Sequence, residues 1–219
     1  MNGLPVLLVT IVPAPLAANV AFEIELWPGE GRPRFVAVAT TLQPRVTPSN
    51  RAAARQPVQV RKGERLEFGA TVHRTTRAGR LRALASETVT GRRVGQIVHL
   101  SRNDYYSGKY PAQSVSVAAG EMVDYLQHRA EGTCFVRVRG EVVDASPCPQ
   151  EAATAFALET TPEIEWWIEY LVEGRSQGWL LVDGKDVREG GRTFQPGSLT
   201  ALHPTPAVDI RSRRGRTRS

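Results

Sequence analysis

The chain has little of what metal sites and catalytic centres are built from. Its 219 residues include two cysteines and four histidines. The histidines are scattered, with no pair at i, i+4, and no second Cys or His pair stands at zinc-ligand spacing. No G-x-S-x-G elbow, Walker loop or G-x-G-x-x-G fingerprint occurs. We therefore expect no metal, no cofactor and no enzyme activity. A hydrolase built around His128, close in sequence to Cys134, is the weakest alternative.

Charged residues are absent from residues 1–18, MNGLPVLLVTIVPAPLAA. An apolar run over residues 4–12, a proline break and small residues at Ala17 and Ala18 have the shape of a secretory signal. The run is too short to span a membrane. A buried N-terminal strand or a mis-chosen start codon would leave the same pattern. The signal interpretation predicts a periplasmic or secreted bacterial protein.

The two cysteines, Cys134 and Cys148, are few and even in number. In an exported chain that count is typical of a single disulfide bond. Such a bond closes a loop of about 15 residues and contributes roughly 3 kcal/mol in the chain-entropy description. Two unrelated buried thiols are the alternative.

The net charge of +6 is mostly local. Residues 211–219 hold five arginines and no acidic residue, so the remainder of the chain is close to neutral. A body this close to neutral is expected to lack the broad basic surface of a nucleic-acid binder. Any weak contact with an anionic polymer is therefore assigned to the tail, unless the tail serves only as a solubilising end.

Helical periodicity is scarce and strand-like alternation dominates, which predicts an all-β fold. Residues 21–26 and 35–39 flank a Trp-Pro-Gly turn and are predicted to pair as a β-hairpin. Residues 47–56 are polar and lie among prolines, which is typical of a linker. Residues 151–158, EAATAFAL, are the best candidate for a short helix.

Two stretches of the chain echo each other at fixed offsets. Residues 58–68, VQVRKGERLEF, match residues 115–125, VSVAAGEMVDY, at an offset of 57, and residues 91–98 match residues 174–181 at an offset of 83. A duplication predicts this shared order, with an insertion of 26 residues in the second copy. We expect that insertion, which holds both cysteines, to stand off the fold as a disulfide-stapled hairpin. Coincident hairpin chemistry would also produce such matches.

The second copy has a frame of glycines and tryptophans: Gly120-Glu121, then Trp167-Ile168, then Gly174 followed by Gly178-Trp179-Leu180. The first copy shares only the glycines, with Gln96 in place of Trp179. Over residues 114–196 this frame resembles bacterial SH3-like (SH3b) domains. The resemblance implies tandem small SH3-like barrels, the second with the disulfide-bearing insertion. The predicted organisation is a signal peptide at 1–18, an N-terminal hairpin and linker at 19–50, a degenerate copy at 51–113, a second copy at 114–197 and a disordered basic tail at 198–219.

Alternation within residues 165–172 separates the tryptophans of the aromatic segment. Trp166 lies on a wholly bulky face, which is predicted to be core. Trp167 shares its face with two glutamates and is expected to be partly exposed, beside a partly exposed Trp179 on the next strand. Packing against the insertion or the first copy would bury the same residues. The predicted ligand-binding residues are Glu165, Trp167, Glu169, Trp179 and Leu181.

Exposed aromatics of this kind are typical anchors for peptides or sugar faces. Together with the resemblance, they favour an exported, non-catalytic binding module for a peptide, a protein or a peptidoglycan fragment. A structural or assembly subunit of the cell envelope is the alternative.

Overall fold

The described part of the chain is built almost entirely from β-strands. The computed structural model describes residues 22–25, 31–95, 97–99, 110–129, 132–151 and 155–193. The predicted all-β class is confirmed, since these residues hold strands and one 3-10 turn at Pro149–Glu151. The strands are β1 (Phe22–Glu25), β2 (Arg32–Ala37), β3 (Thr41–Leu42), β4 (Val58–Gln59), β5 (Arg65–Arg77), β6 (Gly79–Ala83), β7 (Glu87–Val94), β8 (Ile97–His99), β9 (Ala112–Val117), β10 (Met122–His128), β11 (Cys134–Val138), β12 (Glu141–Ala145), β13 (Phe156–Thr160), β14 (Glu163–Val172), β15 (Arg175–Leu181) and β16 (Val187–Thr193).

Within these residues, no helix is long and apolar enough to cross a membrane. The predicted signal peptide at 1–18 and the predicted basic tail at 198–219 lie outside the described residues.

The strands form two large sheets, one nested inside the other along the chain. The order β13-β6-β10-β11-β12-β7-β9 makes a sheet taken entirely from residues 79–160, which we term the inner unit. The order β15-β14-β5-β1-β8, with β2 on β5 and β16 on β2, makes the other sheet. Five of its strands come from residues 31–77 and 163–193, namely β2, β5, β14, β15 and β16. We term these two segments the outer unit. The other two strands, β1 and β8, lie outside both segments. The predicted boundary at 113 and 114 falls inside β9, so it does not coincide with the division between sheets. SH3-like barrels stay a prediction.

The inner unit curls around one apolar core, since that core joins strands from both ends of its sheet. The predicted disulfide is present between Cys134 and Cys148, with Cα atoms 5.1 Å apart. Both cysteines are fully buried, and β11 and β12 are interior strands of the sheet. The cysteine-bearing stretch is therefore part of the core and does not stand off the fold, because alternate residues of both strands point inward.

Two local predictions are wrong. The first strands, β1 and β2, do not pair as a hairpin: β1 pairs with β5 and β8, and β2 pairs with β5 and β16. The predicted helix at 151–158 is replaced over Phe156–Thr160 by β13, which pairs with β6. In both cases a remote strand offers backbone hydrogen bonds and an apolar contact that a short local element lacks.

The first echo has a structural counterpart. Gly63 and Gly120 both have positive φ, 83° and 81°. Their N–H groups donate to Ala37 O and Ala83 O, each at 2.8 Å. The second echo has none, since Gly91 lies within β7 and Gly174 forms the β14–β15 turn.

The two units meet at a packed junction. Phe22 of β1 contacts Phe135 of β11, with ring centroids 4.8 Å apart. The Thr75 hydroxyl donates to Leu126 O at 2.8 Å, and the Gln127 amide nitrogen lies 3.0 Å from His73 Nδ1. An apolar contact therefore joins β1 to β11, and polar contacts join β5 to β10.

Ionisation of Tyr125, in the core of the inner unit, is expected to destabilise the fold at high pH. Burial raises the pKa of Tyr125 to about 12, and the Glu151 carboxylate adds to the increase. Unfolded tyrosine ionises near pH 10, so this contribution, about 2–3 kcal/mol, is complete below about pH 10 and lost as pH rises to about 12. Urea unfolding at about pH 9 and about pH 12 should show a smaller fall in unfolding free energy for Tyr125→Phe than for the parent. Equal falls would contradict this assignment.

Candidate functional site

The five predicted ligand-binding residues share one face of the β14–β15 hairpin. Trp167 lies opposite Leu181, and Glu169 lies opposite Trp179. Glu165 is two residues before Trp167 on the same strand face. The structure therefore brings together the set that sequence alternation predicts.

The expectation that Trp167 is partly exposed is wrong. Its side chain is 1% exposed, and its indole nitrogen donates to Glu165 Oε2 at 3.0 Å. Trp179 and Leu181 are half-buried. Trp166 packs against the outer core as predicted but is also half-buried, with its ring 5.0 Å from that of Phe35.

A remote segment lies against this face. Residues 43–55, which we term the flap, overlap the predicted linker at 47–56. Arg45 and Trp179 exchange two backbone hydrogen bonds, N–H to O in each direction, both 2.8 Å. At the other end, the Asn50 amide donates to Glu165 Oε1 at 2.5 Å and Arg74 Nη1 donates to Pro48 O at 2.6 Å. The predicted linker is therefore a structured part of the site.

Gly178 makes the approach of the flap possible. Its φ is 117°, and a Cβ at this position would lie 2.5 Å from Arg45 O and 3.2 Å from Pro44 Cβ. A side chain here would push the flap from the β15 edge. Gly178, the glycine that precedes Trp179 in the glycine and tryptophan frame, therefore has a packing role.

The Glu169 carboxylate contacts the backbone of the neighbouring strand β5. Its Oε2 atom accepts a hydrogen bond from Ala70 N at 3.4 Å, next to a register irregularity in the pairing of β14 with β5. A Cβ on Gly69 would lie 2.6 Å from the same oxygen. Both predicted acidic residues, Glu165 and Glu169, therefore have donors within the fold.

The Cys–His pair considered for catalysis, His128 with Cys134, has no free thiol. His128 is exposed and pairs across the sheet with Cys134, whose sulfur is in the disulfide. A thiol nucleophile is therefore excluded at this position. Across the described ranges, no group of three or more His, Cys, Asp or Glu residues is arranged to hold a metal ion.

A second surface was missed from the sequence because the net charge hides it. Residues 31–77 hold ten Lys and Arg residues against two glutamates. Two of these arginines, Arg34 and Arg65, are exposed on one face of β2 and β5, and Arg188 of β16 is exposed on the same face. Local charge counting, rather than the total, carries the signal.

The role of Gly178 can be tested against Gly174, which also has positive φ but no atom within 4 Å of a built Cβ. Gly174→Ala carries backbone strain alone, about 1–2 kcal/mol. Gly178→Ala adds a backbone clash and should cost about 2 kcal/mol more, as measured by urea unfolding. Equal losses for the two variants would show that the flap does not press on β15.

Comparison with known proteins assigns no family to the chain. No protein-family model, curated protein or solved structure matches it.

Proposed function

We propose that the chain is an exported, non-catalytic binding module that takes an extended peptide on the β14–β15 hairpin. The observation that supports this most directly is the pair of backbone hydrogen bonds between Arg45 and Trp179. Addition of an extended segment to a sheet edge is one of the recurring modes of peptide recognition. The flap occupies the β15 edge as such a peptide would.

The side chains of the hairpin favour a peptide that carries hydrogen-bond donors. Glu165 accepts from both Asn50 and Trp167, and it is half-buried. A peptide with Asn, Lys or Arg at the position of Asn50 would satisfy the same carboxylate. A sugar ring would need an open aromatic face, and the burial of Trp167 removes that face.

A separate peptide can bind at this edge only when the flap detaches from the hairpin. The hydrogen bonds of the flap to the rest of the sheet include two backbone bonds to Trp179 of β15, the Asn50 bond to Glu165 of β14 and the bond from Arg74 of β5 to Pro48 O. Each contributes about 0.5–1.5 kcal/mol net, or somewhat more where a charged group takes part. A peptide that replaces the same bonds can therefore compete, at an affinity lowered by the small open population.

An oxidising compartment is consistent with the buried disulfide between Cys134 and Cys148. Disulfides persist in secreted and periplasmic proteins and are rare in the cytosol. The SH3-like resemblance adds support for a binding role in such a compartment. These two observations are the basis for proposing export.

The test loosens the flap without changing the hairpin. The double variant Arg45→Pro with Asn50→Ala removes one backbone donor and one side-chain donor of the flap. Arg51→Ala, at an exposed flap position, is the matched control. The probe is a capped synthetic peptide of residues 42–56, which contains no tryptophan, so calorimetry and tryptophan emission both report on the protein.

The double variant should bind the peptide at least about tenfold more tightly than the parent, because it no longer needs to open. Arg51→Ala should match the parent. A peptide methylated on the Arg45 nitrogen should lose binding. A folded double variant that does not bind the unmodified peptide would refute the proposed function.

A further inference from the structure

The face formed by β16, β2 and β5 presents three arginines around one half-buried valine. Val36 of β2 lies opposite Arg65 on one side and opposite Arg188 on the other. Arg34 precedes Val36 by two residues and so points to the same face. All three arginines are exposed.

Neighbouring strands are about 4.8 Å apart, and same-face residues on one strand recur about every 6.7 Å. The Cα atoms of Arg65 and Arg188 are therefore about 10 Å apart, with Arg34 offset along the strand between them. Gly190 packs closely against Val36, since a Cβ there would lie 3.0 Å from Val36 Cγ1. The three exposed arginines therefore form a triangle around Val36.

Several arginines of the inner unit, unlike these three, are paired with carboxylates. Six of them lie within 4 Å of a carboxylate: Arg80, Arg82, Arg93, Arg129, Arg137 and Arg139. In contrast, Arg34, Arg65 and Arg188 form no salt bridge with any described residue. Glu67, also exposed, is the carboxylate beside Arg65 in the shallow depression at the edge of this face.

Charge is therefore segregated within the outer unit. Residues 31–77 supply the basic surplus, whereas residues 163–193 hold seven acidic and four basic residues. Like charges gathered on one face raise the local potential and attract an oppositely charged partner. The near-neutral net charge of the folded body as a whole conceals this local separation of charge.

We propose that this face binds a linear polyanion through phosphate or carboxylate groups. The arginine fork matches both groups in geometry, and a chain with oxyanions about 5–10 Å apart can reach two or three guanidiniums at once. The proposal is independent of the peptide site, which lies on the β14–β15 hairpin.

The test compares two triple variants of equal charge change in the full chain. Arg34→Gln, Arg65→Gln and Arg188→Gln remove the triangle. Arg80→Gln, Arg82→Gln and Arg139→Gln remove three paired arginines whose side chains are 50–60% exposed. Exposed pairs contribute little stability, so both variants should fold. Thermal melting monitored by circular dichroism verifies this.

Labelled inorganic polyphosphate and labelled polyglutamate are the probes, and fluorescence anisotropy is the measurement. Loss of the triangle should weaken binding at least about tenfold and reduce the log–log salt slope by about two, because up to three contacts are lost. The control variant should stay within about twofold of the parent. Binding to one probe and not the other would identify the oxyanion while supporting the site.

Three results would overturn the proposal. The first is equal weakening in both variants, which would mean general attraction by net charge. The second is unchanged binding without the triangle, which would assign the affinity to another part of the chain. The third is absence of polymer binding by the parent at low salt, including the case where only anionic phosphatidylglycerol vesicles bind.

Discussion

The constraint on which the outer unit depends is the contact between its two chain crossings. The chain leaves the outer unit at Arg77 and returns at Glu163, and these two residues lie opposite each other in the pairing of β5 with β14. Beside them, a Cβ on Gly79 would collide with Thr160 O and lie 2.8 Å from Pro162 N. The folded inner unit holds these crossings side by side, where β5 and β14 pair. The pairing therefore does not have to close an unstructured loop of more than 80 residues.

That pairing determines where the proposed sites lie. β14 aligns β15 as a terminal strand of the sheet, and the flap adds to its edge at Trp179. On the opposite side of β5, β2 and β16 present the arginine triangle. The peptide site has acidic side chains and the second site has basic ones, so the outer unit carries two surface regions of opposite charge.

Part of this organisation follows from the sequence. Strand alternation placed Glu165, Trp167, Glu169, Trp179 and Leu181 on one face, and the cysteine count gave the disulfide. The turns at Gly63 and Gly120 share one backbone geometry: in each, a glycine with positive φ precedes a glutamate. The nesting was not predictable, since an echo at constant offset records order along the chain and not which strands pair. The burial of Trp167 was missed for a similar reason: its partner Glu165 also binds Asn50, which lies more than 100 residues away in the chain. The arginine triangle was hidden by the sum of charges.

The nested organisation is tested most directly by comparing two excised fragments under identical oxidising conditions. Residues 78–162 contain the whole inner sheet and both cysteines, whereas residues 114–197 contain the predicted second copy. If the units are nested, the first fragment gives a cooperative thermal melt and dispersed amide resonances, and the second gives neither. Cooperative folding of residues 114–197, with residues 78–162 unfolded, would contradict the nested arrangement.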